Sequence, residues 1–157
     1  MGATKSRSQE KAKKEENLAI ARRYILEYFN KGDADVVDEI FSPDCVVNRE
    51  YSQTNEERKQ YIVSIRASFP DLKKTIVEEI AVEDKIVLSW VATGTNLGEF
   101  MGFAPTGKSM NVRGIYIFRI ADGKIVEMSY VFDRLGRLQQ LGYELVPPGE
   151  QDGVPGK

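Results

Sequence analysis

The tightest constraint on the fold lies between residues 109 and 132. Two runs, "SMNVRGIYIFRI" and "KIVEMSYVF", flank Asp122-Gly123. Both turn residues tolerate positive φ, so Asp-Gly between alternating β-branched and aromatic residues signals a hairpin. A period of two puts Val112, Gly114, Tyr116, Phe118 and Ile120 on one face of the first strand. Asn111, Arg113, Ile115, Ile117 and Arg119 take the other. On the second strand Val126, Met128, Tyr130 and Phe132 go together. An isolated hairpin is marginal, and two further runs rich in Ile, Val and Thr precede it, at 74–82 and 85–95.

Upstream the periodicity is helical. Leu18, Ala21, Tyr24, Ile25, Tyr28 and Phe29 form one apolar face from about residue 15. "NKGD" ends it, with Gly32 as the left-handed cap and Asp33 as N-cap of a short helix over 34–41. "SPD" at 42–44 stops that helix, and 45–51 reads as a strand. Thr54 and Glu57 form a capping box that opens a third helix, which runs to Phe69. A last helix, 134–141, carries Leu135, Leu138 and Leu141. Helices followed by a meander of strands give an α+β fold, with helices on one face of a curved antiparallel sheet. The expected organisation is a disordered 1–13, one domain over 14–146 and a flexible tail over 147–157.

Composition then removes function classes. The chain has 157 residues, no histidine, one cysteine and a net charge of −2. Without histidine there is no Ser-His-Asp or Cys-His machinery and no common zinc site. A balanced charge offers no footprint for nucleic acid. Cys45, beside Val46 and Val47, reads as a small core residue, and its isolation suits a reducing, cytoplasmic setting. No apolar run approaches 18 residues, so no membrane span is expected. "MGATKS" matches the N-myristoylation pattern, which a vector-derived Gly2 also produces. Between the two hairpins, "LGEFMGFAPTGK" (97–108) is glycine-rich yet apolar, so this tongue should pack against a pocket mouth or a second subunit.

"YFNKGDADVVDEIFSPDCV", "PTGK", the arginine followed by "DGKI", and "DRLGRLQQLG" closely resemble the SnoaL-like polyketide cyclases, over residues 15–143. That family lies within the nuclear-transport-factor-2-like superfamily. The resemblance implies a cone-shaped α+β barrel, a homodimer formed through the outer sheet face, and aldol ring closure without cofactor or metal. It also implies an acidic residue near the end of the last strand and a histidine on the strand before it. Those positions fall on Tyr130 and Tyr116. The related limonene epoxide hydrolases use an aspartate at the Tyr130 position and an Arg-x-Asp pair that falls on Trp90 and Ala92, so neither set of residues is kept. Asp133 is retained and reads as the N-cap of the last helix.

The family pocket requires Tyr116 opposite Tyr130. A plain two-residue turn would set Tyr116 against Ser129, so a G1 bulge at Gly123 is expected. Tyr116, Tyr130 and Asp133 are the candidate catalytic residues. Tyr28, Asn48, Leu88, Trp90, Phe118 and Met128 are the candidate ligand-binding ones. An aromatic lining with few polar tips suits a small hydrophobic carbonyl compound. Two phenols can donate to a developing enolate, but a base is missing. Asp133, Glu99, Glu27 and Asp44 are the carboxylates within reach. Two readings remain: a cofactor-independent cyclase or isomerase, and a non-catalytic binding or dimerising module. The outer face, with Ile115, Ile117 and Val131 beside Arg113, Arg119 and Glu127, is the expected homodimer surface.

Overall fold

A computed structural model describes residues 6–148. The expectations about Gly2 and about the end of the tail fall on residues outside this span. The first helix, α1 (Arg7–Arg23), begins earlier than periodicity suggested. Ser6 accepts from Gln9 N and Gln9 Oε1 accepts from Ser6 N, so a capping box opens it. Residues 7–13, expected to be disordered, are therefore helical. The helix continues as a π-helical segment, Tyr24–Phe29, which buries Tyr24, Ile25, Tyr28 and Phe29 together. Gly32 takes φ 71° as expected. Helix α2 (Val36–Ile40) starts after Asp35, two residues later than expected. Asp33 Oδ1 instead accepts from Asp35 N, forming a turn ahead of it.

Strand β1 (Phe41–Val47) includes Pro43. Its pairing shifts register between Phe41 and Val46, and this irregularity gives the missing N–H a place. Asn48, expected within this strand, follows it in left-handed geometry at φ 52° and turns the chain into the two-residue β2 (Tyr51–Ser52). Helix α3 (Asn55–Ser68) opens on the Thr54–Glu57 capping box. Strands β3 (Lys73–Val82), β4 (Lys85–Thr95), β5 (Ser109–Ala121) and β6 (Lys124–Phe132) follow, then α4 (Arg134–Gln140).

The six strands form one curved, unclosed sheet in the order β2-β1-β6-β5-β4-β3. Its meander is antiparallel, but β1 lies parallel to β6. The chain leaves β1, crosses by α3 and the meander, and brings its last strand home beside the first. Alternation on β5 holds along its length: Met110, Val112, Gly114, Tyr116, Phe118 and Ile120 face inward. Tyr116 does pair with Tyr130. The register shift, however, is not in the turn. Ala121 pairs with Lys124 and Ile120 with Ile125, while Arg119 pairs with Glu127, so Val126 is the extra residue. The bulge buries Ile125 and Met128 on the same side, three apart, and breaks the alternation expected for Val126. No helix among the described residues is long and apolar enough to cross a membrane.

The tongue is anchored at its base. Asn96 is wholly buried; its Oδ1 accepts from Thr106 N at 2.9 Å and its Nδ2 donates to Gly98 O at 2.8 Å. Leu97 N donates to Ser68 O at the end of α3. Phe100 packs edge-on to Phe69, while Phe103 lies against Tyr143.

Candidate functional site

The inner sheet face, the π-helical segment, α3 and α4 enclose a cavity of about 280 Å³. Pairing explains its shape. Trp90 lies across from Gly114, and a Cβ on Gly114 would sit 2.2 Å from the Trp90 ring. The glycine lets the indole lie flat on the sheet, where Tyr116 stacks beside it at 5.3 Å. Tyr24 meets Tyr116 edge-on and stacks on Tyr28.

Of the residues singled out from sequence, Tyr28, Trp90, Met128, Tyr116 and Tyr130 line this cavity together. Leu88 and Phe118 are fully buried and pack behind it as core. Asn48 does not reach it. Its Oδ1 accepts from Tyr130 N at 2.9 Å and its own N–H donates to Met128 O, so it ties β1 to the strand that carries Tyr130. Asp133 caps α4, accepting from Gly136 N at 2.7 Å, and borders a shallow hollow on the outer face instead. Glu99, Glu27 and Asp44 are also absent from the lining, and Glu27 is paired with Arg23. Among the described residues, no carboxylate lines the cavity.

The residue that sequence reasoning missed is Lys74. "KK" at the start of a strand reads as solvated charge, yet Lys74 is buried. Asn30, the first residue of "NKGD", clasps its backbone from both sides, accepting from Lys74 N and donating to Lys74 O. Its Nζ donates to Tyr116 Oη at 2.5 Å and lies 3.4 Å from the Phe29 ring centre and 4.0 Å from that of Trp90. Burial pushes the amine's pKa well below the ordinary lysine range, and the charge of Arg137 adds to this. The ring faces favour the ammonium by about 0.5–2 kcal/mol. Losing water costs an ion several kcal/mol, so desolvation outweighs the rings and the pKa falls. Burial pushes the Tyr116 phenol the opposite way, well above its ordinary value. Lysine and tyrosine ordinarily titrate within about half a unit of each other. Here one environment drives them apart, the amine toward its neutral form and the phenol toward its protonated one.

Three arginines complete the wall. Arg58, 1% exposed, donates through Nη1 to Gln53 O and lies over the Phe41 ring. Arg134 and Arg137 project from the same face of α4 and stack on Phe132. Leu135, expected to be apolar packing, is largely exposed instead, and Leu141 carries the anchor. Gln140 holds the helix in place by bonding both backbone groups of Asn111. No three potential metal ligands among His, Cys, Asp and Glu come together among the described residues.

A model of the SnoaL-like polyketide cyclase family matches residues 19–141. Nogalonic acid methyl ester cyclase of Streptomyces nogalater is 28% identical over 125 residues, covering 75% of this chain and 92% of that relative. Aklanonic acid methyl ester cyclase of Streptomyces galilaeus is 28% identical over 137 residues, covering 81% of this chain and 91% of that relative. The crystal structure of IdmH from Streptomyces antibioticus superposes with a TM-score of 0.69 at 28% identity, over 81% of this chain and 99% of that one. A SnoaL-like protein from Jannaschia sp. CCS1 shares the fold, with a TM-score of 0.74 at 22% identity over 92% of this chain and 100% of that one. With a family model spanning the sheet, the cavity and α4, the chain belongs to the SnoaL-like polyketide cyclase family.

Proposed function

We propose that this protein is a cofactor-independent cyclase or isomerase that takes a proton from the carbon beside a carbonyl in a small, hydrophobic, polyketide-like compound. Lys74 is the base and the Tyr116 and Tyr130 phenols are the donors. The supporting observation is the buried Lys74–Tyr116 pair on the wall of an aromatic cavity lined by no carboxylate. An enolisation needs a base that is unprotonated near neutral pH and a donor that is not. Burial supplies both from two side chains that in water would each be protonated.

In the step we infer, the neutral Lys74 amine removes the α-proton as the carbonyl oxygen gains hydrogen bonds from a phenol. The enolate carbon attacks a second carbonyl in the same molecule, one C–C bond forms, and the new alkoxide recovers the proton from the Lys74 ammonium. Atoms balance with no oxidant or reductant. The names of the two curated relatives, both cyclases of methyl esters, support a ring closure.

Proton exchange tests this without knowledge of the natural substrate. The probe is 2-acetylnaphthalene in D2O, with loss of the methyl proton signal followed by NMR. The wild type should exchange these protons well above the buffer rate. K74M should lose about 100-fold or more of that enhancement and Y116F about tenfold. Exchange by K74M at the wild-type rate would remove Lys74 as the base. Tight binding of the probe with no exchange by the wild type would favour a non-catalytic binding module.

A further inference from the structure

We propose that the cavity recognises an ionised carboxylate on its ligand, held by Arg137 and Arg58, so that the preferred ligand is the free acid of an aromatic ketone and not its ester. This rests on the reading above only in taking the cavity as the ligand site. Several cations outside the cavity are matched by acids: Arg22 with Glu15 and Glu79, Arg23 with Glu27 and Glu39, Lys59 with Asp35 and Asp38, Arg119 with Glu127. Inside it no such pair forms among the described residues. Arg58, Arg134 and Arg137 all line the wall, and no described carboxylate joins them there or pairs with them elsewhere.

The guanidinium groups are also under-bonded. Among the described residues, Arg58 Nε and Nη2 and Arg137 Nε are buried with no hydrogen-bond acceptor. Buried nitrogens of this kind are normally satisfied, and each orphan donor is costly. A planar carboxylate offers two acceptor oxygens to such a fork. Phe41 lies under Arg58, and Phe132 and Phe100 hold Arg137, so both groups are pre-oriented by ring faces. The apolar rings of Tyr24, Phe29 and Trp90 line the same cavity and suit an aromatic body.

The test compares 2-naphthoate with methyl 2-naphthoate by titration calorimetry on the full chain at pH 7. The acid should bind at least tenfold more tightly than the ester. R137Q should bring the two within about twofold, and R137K should restore part of the gap. Because R137Q could disturb α4, salt is varied on the wild type as a second measurement. Raising ionic strength should weaken the acid and leave the ester unchanged. Equal affinity for acid and ester, or a preference untouched by R137Q and by salt, would overturn the proposal. Binding is read without turnover, and the exchange probe carries no acid group, so this inference and the one about Lys74 can fail separately.

Discussion

Replacing Lys74 with methionine should change how stability depends on pH, and the sign follows from burial. Burial lowers the pKa of this amine in the folded protein and so favours its neutral form. In the unfolded chain the same amine titrates at about 10.4. Between the folded and unfolded pKa values the unfolded state binds one more proton than the folded state, so stability rises with pH. The slope for one proton is about 1.4 kcal/mol per pH unit. From pH 7 to pH 9 the wild type should therefore gain stability relative to K74M, with that slope as the upper limit. Other titrating groups are common to both proteins and cancel in the difference. Tyr116 acts with the opposite sign, since its raised pKa costs stability only above about pH 10, so the series stops at 9. At pH 7 the variant keeps the apolar stem and no longer has to hold an amine uncharged. It leaves the Tyr116 hydroxyl short of one partner, at a cost of about 1–3 kcal/mol. Urea unfolding at pH 7, 8 and 9 measures the difference. Parallel stability curves for the two proteins would mean that Lys74 is charged in the folded state, and the proposed base would be lost with it.

Other substitutions separate structural roles from chemical ones. Y130F should slow proton exchange about tenfold and shift stability by no more than about 1 kcal/mol, since this side chain is only half-buried; exchange at the wild-type rate would remove the second donor. G114A drives a methyl group into the Trp90 ring and should cost about 1–3 kcal/mol in thermal unfolding. D133N keeps a good N-cap for α4 and should leave both stability and exchange within about twofold of wild type; a tenfold loss of exchange would return Asp133 to the site. The outer face exposes Ile115, Ile117 and Val131, and sedimentation at micromolar concentration should show a homodimer that I117E converts to monomer; a wild type that sediments as monomer would reject that interface.

What could be read from the sequence was whatever local periodicity encodes. The faces of β5 and the Thr54–Glu57 capping box follow from spacing, whereas the pairing of Tyr116 with Tyr130 came from the family resemblance, because the bulge that sets it lies at Val126 and not in the turn. Lys74 was legible in principle, because it is in phase with Ile76 on the inner side of β3, but the adjacent Lys73 and the start of a strand argue for solvent. Its burial depends on Asn30, 44 positions away, and no local pattern carries that. Arg137 was hidden by the leucines around it. Three-residue spacing marked Leu135, Leu138 and Leu141 as the packed stripe; Leu138 and Leu141 do pack, but Leu135 is exposed, and Arg134 and Arg137 line the cavity. Ser6 and Gln9 carried a helix-start signal at the standard spacing, and the surrounding polar run masked it.

At the level of the gene, Val126 is a codon the hairpin can spare. Pairs on either side of the bulge are in step, with Ile120 facing Ile125 and Arg119 facing Glu127. Deleting that codon would leave Tyr116 across from Tyr130 and every inward residue inward, and the strand would straighten instead of changing sides. A second codon lost from the same strand would flip it. Insertions and deletions in related genes should therefore gather at this point, one residue at a time. Alignments drawn by letter alone will slip there, four positions before the Tyr130 phenol.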